Sequence, residues 1–213
     1  GPDGRVNCLV GHDWGSLVCF LYCERYAVDK VVTLDVGIVR GDLSVTSAVV
    51  LALHNATFAF AFLSRALGLS FLGLFLLNCF PFQAVGPFPA ETHLPKRAVE
   101  FQKRPDLGLL YPFFHFVKHF LFGVRRYPFL GDRSQSASAR DNWALFPPVP
   151  PDAPTLFLFG TRKRAFFHGS NFLKFLDAKT DGSTWGALDT GHFLHAELPD
   201  EVAAIILDFL APS

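Results

Sequence analysis

The chain has 213 residues, enough for one sizeable domain, and 50% of them are hydrophobic while 18% are charged. This balance excludes a disordered or fibrous protein. Basic and acidic residues number 19 each and no basic stripe is visible, so we expect no nucleic-acid partner.

The start of the chain has the pattern of a strand, a helix and a second strand. Residues 6–10 form a short apolar run, residues 15–26 have apolar side chains at helical spacing, and residues 30–36 are β-branched and apolar up to Asp35. Strands that are apolar on both faces are typical of parallel sheets. The order strand, helix, strand therefore predicts an α/β fold with a right-handed crossover.

The middle of the chain, residues 41–149, has a different character. It is rich in phenylalanine, of which the chain has 25, and much of residues 44–82 is apolar with a helical pattern. The α/β pattern then resumes with strands at 154–160 and 183–188 and a closing amphipathic helix at 201–210. We therefore predict an α/β core formed by residues 1–40 and 150–213, interrupted by a helical, Phe-rich cap.

Residues 66–82 of this cap are about as apolar as a membrane span but lie at the short end of the length that a span needs. Asn78 and Pro81 interrupt them. We favour an apolar lid over a transmembrane helix, with association of residues 66–82 with a membrane surface left open. The compartment stays open between the cytoplasm and a membrane surface, and the sequence does not predict an oligomeric state.

The four cysteines offer no metal site. Cys19 and Cys23 share a helix face, but no second pair and no histidine cluster completes a ligand set. We expect reduced, buried thiols, no metal and no cofactor.

The segment G-H-D-W-G-S at residues 11–16 follows the first strand and opens the first helix. A strand, G-x-D-x-G and a helix in this order form the pattern of a nucleophile elbow. Gly11 and Gly15 permit the sharp turn, Asp13 lies at its apex, and the backbone N–H of Trp14 is placed to face an oxyanion. A carboxylate at the apex attacks a carbon that bears a leaving group and forms an ester, which water activated by a histidine then hydrolyses.

This elbow resembles that of the epoxide hydrolase and haloalkane dehalogenase branch of the α/β-hydrolase superfamily, through the His before and the Trp after Asp13. The resemblance implies an α/β-hydrolase fold and an Asp-nucleophile hydrolase without a cofactor. The family's elbow normally follows the fifth of about eight strands, whereas here it begins near residue 6. The chain therefore resembles the C-terminal part of the domain, with the first strands and an H-G-x-P loop truncated. We expect the isolated chain to be unstable and without turnover, and robust hydrolysis by it would contradict that expectation.

The resemblance also implies a base and an acid. His192, in D-T-G-H-F at residues 189–193, matches the family's histidine, and His195 is its nearest rival. Lys163 stands where the family often carries the acid, and a cation cannot orient an imidazolium. Some relatives place the acid after the strand that follows the elbow, which is the place of Asp35. We assign Asp35 as the acid, with a capping aspartate as the alternative and two weaker candidates, Asp177 and Asp181.

The leaving group needs a donor, and the candidates are Trp14, Tyr111 and Tyr127. In the family, epoxide opening usually employs lid tyrosines, whereas halide departure employs N–H donors. The tyrosines and the Phe-rich cap favour small apolar epoxides as substrates. The alternatives are a haloalkane dehalogenase-like hydrolase and a catalytically inactive hydrolase-fold protein that serves in binding or at a membrane.

Overall fold

The computed structural model describes most of the predicted core and part of the predicted cap. The described residues are 6–37, 45–79, 107–110, 113–114, 117–118, 151–163 and 166–211. They fall into two compact units that divide between Ser47 and Ala48 in the first helix of the cap. The predicted boundaries at 40/41 and 149/150 lie outside the described residues and stay predictions.

The first unit contains six strands and four helices within the described residues. In chain order they are β1 (Val6–His12), α1 (Trp14–Cys23), β2 (Val28–Leu34), β3 (Val36–Gly37), β4 (Thr155–Gly160), β5 (Phe167–His168), α4 (Ser170–Asp177), β6 (Thr184–Leu188), α5 (Leu194–Glu197) and α6 (Pro199–Leu210). The predicted α/β fold with a parallel sheet is confirmed, and its predicted strands and helices are present with ends shifted by a few residues.

The main sheet has the order β1-β2-β4-β6, and every pairing in it is parallel. A second, two-stranded parallel sheet joins β3 to β5. The residues of β4 are all buried, as expected for a strand covered on both faces. Alternate side chains of β4 pack on opposite sides: Leu156 and Leu158 contribute to the core beneath α6, and Phe157 and Phe159 to the core beneath α4.

The carboxyl ends of the four parallel strands meet at one edge of this sheet. The first residue after each of three strands continues the hydrogen-bond pattern into the neighbouring strand. The N–H of Asp13 donates to Leu34 at 3.1 Å, that of Asp35 to Leu158 at 2.7 Å, and that of Thr161 to Leu188 at 2.9 Å. The residue that follows each of these three strands is therefore anchored to the neighbouring strand by a backbone hydrogen bond.

The second unit contains the apolar helix α2 (Val45–Ala66) from Ala48 onward, the apolar helix α3 (Ser70–Cys79) and a 3-10 helix at Leu107–Leu110. The unit has its own small core, formed by Ala61, Leu107 and Leu110 with phenylalanines packed around them. The helical, Phe-rich character predicted for the cap is present in these described residues.

The segment predicted as a lid or membrane surface, residues 66–82, is not one helix. The chain turns between α2 and α3, where Gly68 has a φ of 75° that glycine adopts without strain. Residues 80–82 lie outside the described residues. Among the helices that the structure describes, one is long and apolar enough to cross a membrane by length and composition, at Val49–Ala66, with 28% of that window buried. Association of this unit with a membrane stays a prediction.

Candidate active site

The turn between β1 and α1 is tight and strained. Asp13, at its apex, has φ 54° and ψ −120°, a region that few non-glycine residues adopt. The hydroxyl of Ser16 donates to the carbonyl of Gly11 at 3.0 Å and closes the turn. A Cβ added to Gly11 would lie 2.5 Å from the carbonyl oxygen of Gly15, whereas one added to Gly15 would meet nothing within 4 Å. The close approach of strand and helix therefore depends on the first glycine of the motif.

The loop after β6, which carries His192, is fixed on the end of β4. The N–H of Gly191 donates to Oε1 of Glu197 at 2.8 Å, and the other oxygen of that carboxylate accepts from the guanidinium of Arg162. A Cβ on Gly160 would overlap the carbonyl oxygen of Gly191, so only glycine lets the loop come this close. The loop is thus fixed at Gly191, and the adjacent His192 is 3% exposed.

The structure brings together the three side chains predicted as nucleophile, base and acid. His192 Nδ1–H donates to Oδ2 of Asp35 at 2.5 Å. His192 Nε2 lies 3.7 Å from Oδ2 of Asp13, too long for a hydrogen bond but well within the range of an ion pair. The side chain of Asp35 has no exposed surface, whereas that of Asp13 is 38% exposed. The buried carboxylate can thus orient the imidazole while the exposed one can meet a substrate.

The charges of these groups depend on one another. Burial alone lowers the pKa of His192, but the carboxylates of Asp13 and Asp35 outweigh it and raise that pKa to about 9. Burial raises the pKa of Asp13 and of Asp35. The imidazole of His192 opposes this effect at Asp13, and His192 together with Lys163 opposes it at Asp35, so both carboxyl pKa values lie below their usual range. With both carboxylates ionised, the imidazole is held in its protonated form.

Lys163 lies where the sequence led us to expect an acid, and the structure gives the cation a role that the sequence did not predict. Its Nζ donates to Oδ1 of Asp35 at 2.5 Å, and both side chains are fully buried. The N–H of Gly160 donates to the same oxygen at 3.1 Å. The capping alternative for Asp35 describes only this last bond, because the other oxygen is bonded to His192. The cation contacts the acid and does not replace it.

Two further histidines lie beside His192. The rings of His12 and His192 have centroids 4.4 Å apart, and His12 Nε2–H donates to the backbone carbonyl of His192 at 2.9 Å. Burial, followed by the charge of His192, lowers the pKa of His12 to about 4, so the ring is neutral near pH 7. Burial and the same imidazole also lower the pKa of His195. His12 supports the main chain of His192, a role that its place in the elbow motif did not reveal.

Of the three donors predicted for the leaving group, the structure describes Trp14. Trp14 begins α1 directly after Asp13, and its side chain is half-buried. Tyr111 and Tyr127 lie outside the described residues. Their assignment as donors stays a prediction.

The weaker acid candidates are engaged elsewhere. Asp177 accepts from the indole of Trp185 at 2.8 Å, and Asp181 forms an ion pair with Lys179 at 3.0 Å. Across the described residues, no three His, Cys, Asp or Glu side chains are grouped as the ligands of a metal ion would be.

Solved structures with a similar fold cover nearly the whole chain. An epoxide hydrolase from metagenomes of hot environments is 19% identical with a TM-score of 0.57, and the match covers 98% of this chain and 68% of that one. A single-residue mutant of an epoxide hydrolase from Bacillus megaterium is 16% identical with a TM-score of 0.56, covering 98% and 71%. MenH from S. aureus is 14% identical with a TM-score of 0.50, covering 96% and 68%. These structural matches show that the chain shares its fold with the three proteins.

The family assignment rests on the sequence, through a match to a family model. No curated protein matches the chain. The family model described as "Alpha/beta hydrolase family" matches residues 1–205, which is nearly the full length and includes the strained elbow, the buried acid and the histidine loop. The chain therefore belongs to the alpha/beta hydrolase family.

Proposed function

We propose that this chain carries the nucleophile, base and acid of a hydrolase that opens small apolar epoxides through a covalent ester on Asp13. The observation that supports the proposal most directly is the sequence of contacts from Asp13 to His192 to Asp35 at one edge of the sheet. A partly exposed carboxylate on a strained turn, followed by an imidazole and a fully buried second carboxylate, has the arrangement of a nucleophile, a base and an orienting acid.

In the first step, an oxygen of Asp13 attacks an epoxide carbon. A bond forms between the carboxylate oxygen and that carbon, the ring carbon–oxygen bond breaks, and the released oxygen takes a proton from a donor. The low pKa of Asp13 keeps the attacking group ionised at neutral pH. Tyr111 and Tyr127 are the proposed proton donors, and Trp14 is the proposed N–H donor at the elbow.

In the second step, water attacks the carbonyl carbon of the ester while Nε2 of His192 takes its proton. The bond from that carbon to the substrate oxygen then breaks, the proton passes to the departing alcohol, and the carboxylate of Asp13 is restored. The proton that His192 carries in the free site first passes to the donor that protonated the epoxide oxygen, and the second proton of the attacking water returns to His192 when the carboxylate of Asp13 is restored. His192 has to be neutral to accept a proton from water. Esterification favours that state, because it removes one of the two carboxylate charges that raise the pKa of His192 to about 9.

Epoxides are proposed over haloalkanes on the resemblance of the elbow, on the predicted tyrosines of the cap and on the fold shared with two solved epoxide hydrolases. A haloalkane dehalogenase-like reaction would pass through the same ester. The catalytically inactive alternative would not form it, so the ester is the intermediate to detect.

The test is a single turnover in ¹⁸O-water with enzyme in excess over an aryl epoxide, and in parallel over a haloalkane, with the natural protein at its native length. Ester chemistry places ¹⁸O in the carboxylate of Asp13, whereas direct attack by water places the label in the product. The tryptic peptide of residues 6–25 also contains Glu24, so fragmentation has to locate the label. Asp13→Asn is the control that accepts none. Product formed without label in Asp13 would overturn the proposal.

A further inference from the structure

The strongest unassigned feature of the site is the buried cation beside the acid. Lys163 Nζ lies 2.5 Å from Oδ1 of Asp35, and the rings of Phe166 and Phe167 lie 5.5 Å and 5.2 Å from it. Taking an ammonium out of water costs several kcal/mol unless a carboxylate compensates for it. A charged lysine at this position therefore depends on Asp35. The carboxylate of Asp35 is in turn shared between Lys163 and His192.

We propose that Lys163 is a positioning residue: it fixes the carboxylate of Asp35 and supplies the counter-charge that lets His192 release its proton once Asp13 is esterified. This role rests on the proposed function, because it concerns the second step of that reaction.

The geometry explains how the carboxylate is fixed. Oδ1 of Asp35 accepts from the ammonium of Lys163 and from the N–H of Gly160, which leaves Oδ2 to His192. Both donors act on the same oxygen, so rotation of the carboxylate would break two hydrogen bonds at once. The plane of the carboxylate is thereby fixed, with one oxygen directed at the imidazole.

The charges explain the second part of the role. In the free site, two carboxylates face the protonated His192 and Lys163, so two negative charges balance two positive ones. The ester removes the charge of Asp13, and the remaining carboxylate and ammonium then balance each other with a neutral imidazole. Without the ammonium, Asp35 and a protonated His192 would balance instead, and the base would stay occupied by a proton.

Other titratable groups around His192 do not replace this counter-charge. His12 and His195 face it, and burial lowers the pKa of both, so they are neutral near pH 7. Arg162 is taken up by the carboxylates of Glu197 and Asp189 at an exposed position. Burial lowers the pKa of Lys163 itself, and the carboxylates of Asp35 and Asp13 oppose that effect.

The first test uses Asp13→Asn as a neutral stand-in for the ester and follows the imidazole of His192 by NMR through a pH titration. In this background we expect Lys163→Met to raise the pKa of His192 by about 1 unit, since a positive charge nearby disfavours the protonated imidazole and a neighbouring charge shifts a pKa by about that much. Lys163→Arg should restore the lower value, because it restores the charge. Lys174→Met, at an exposed lysine on α4, is the matched control and should change nothing.

The second test is the pH dependence of turnover with Asp13 intact. We expect Lys163→Met to lower kcat about 10-fold at pH 7, with the ester accumulating, and to approach the unmodified protein at pH 9, because a shift of one pKa unit is a factor of ten. KM should change little. If the methionine variant does not fold, Lys163→Gln serves in both tests.

An unchanged pKa of His192 and an unchanged pH profile in a folded Lys163→Met or Lys163→Gln protein would overturn the role of Lys163. That result together with ¹⁸O in Asp13 would leave the proposed function standing. Absence of label from Asp13 would instead overturn the proposed function, so the two failures are distinguishable.

Discussion

Asp35 is a fully buried carboxylate that accepts hydrogen bonds from an imidazole, an ammonium and a backbone amide. A buried charge is tolerated when it is paired and its oxygens are bonded, and each oxygen here has at least one donor. Its neighbour Asp13 is partly exposed, and its carboxylate lies 3.7 Å from the imidazole of His192. The two aspartates therefore differ in environment: that of Asp35 is suited to orienting a base, and that of Asp13 is suited to reacting.

The first prediction concerns His192. Replacement by Gln removes the group that accepts the proton of water but leaves the nucleophile, so we expect the ester to form and persist. Turnover should fall about 10³-fold. Intact mass spectrometry of the native-length variant after addition of an aryl epoxide should show the protein with one substrate attached. The double variant Asp13→Asn/His192→Gln is the control that gains no mass, and a single variant that also gains none would contradict the prediction.

Some of these residues could be predicted from the sequence and others could not. Asp13 and His192 lie in short motifs whose neighbours along the chain reveal them. The partner of Lys163 lies 128 residues away, and only the pairing of β2 with β4 brings the two together. The signal for it was nonetheless present: a lysine at the expected place of the acid, with a carboxylate at the end of the adjacent apolar strand.

At the scale of elements, the packing of β1 against α1 determines the direction of the side chain of Asp13, the proposed nucleophile. The strand and the helix approach so closely at Gly11 that a methyl group there would overlap the backbone of Gly15 and the sulfur of Cys19. The elements themselves were predictable from apolar runs and helical spacing. The break of residues 66–82 at Gly68 was not predictable, because the residues on either side of this glycine are mainly apolar.

The second prediction compares the two glycines of the elbow. Gly11→Ala should lower the free energy of unfolding by about 2 kcal/mol, because the added methyl group overlaps backbone atoms that cannot move freely. Gly15→Ala should leave it unchanged or raise it by up to about 1 kcal/mol, because its methyl group meets nothing and alanine favours a helix. Chemical denaturation of both variants measures the difference. Equal losses would show that the close approach at Gly11 does not limit stability.

At the scale of the whole molecule, the site forms only when β1, β2, β4 and β6 are assembled in the sheet. His192 is 157 residues from Asp35 and 180 from His12, and its loop follows the last strand of the sheet. Unfolding therefore separates every charge of the site at once. The protonation of the site and the stability of the fold are consequently linked.

The third prediction is a loss of stability at alkaline pH. The pKa of His192 is raised to about 9 in the folded chain, above about 6.5 in an unfolded one, so the folded chain holds this proton more tightly. The resulting stabilisation is fully present below pH 6.5 and is lost as the pH rises through 9, and it amounts to about 3 kcal/mol. Denaturation of the native-length protein and of its His192→Gln variant between pH 6 and 10 checks it. A difference between the two that stays constant over this range would contradict the linkage.

The positive φ angles of Asp13 and Asp35, 54° and 72°, have a consequence for how this protein can diverge. Asparagine tolerates such backbone positions nearly as well as aspartate, so each carboxylate can be neutralised by a substitution that the backbone accepts. At Asp13 that substitution leaves no fully buried charge without its partner. At Asp35 it strands the buried ammonium of Lys163, at a cost of about 3–5 kcal/mol. A lineage released from the proposed reaction should therefore lose Asp13 first and retain Asp35 as part of its fold.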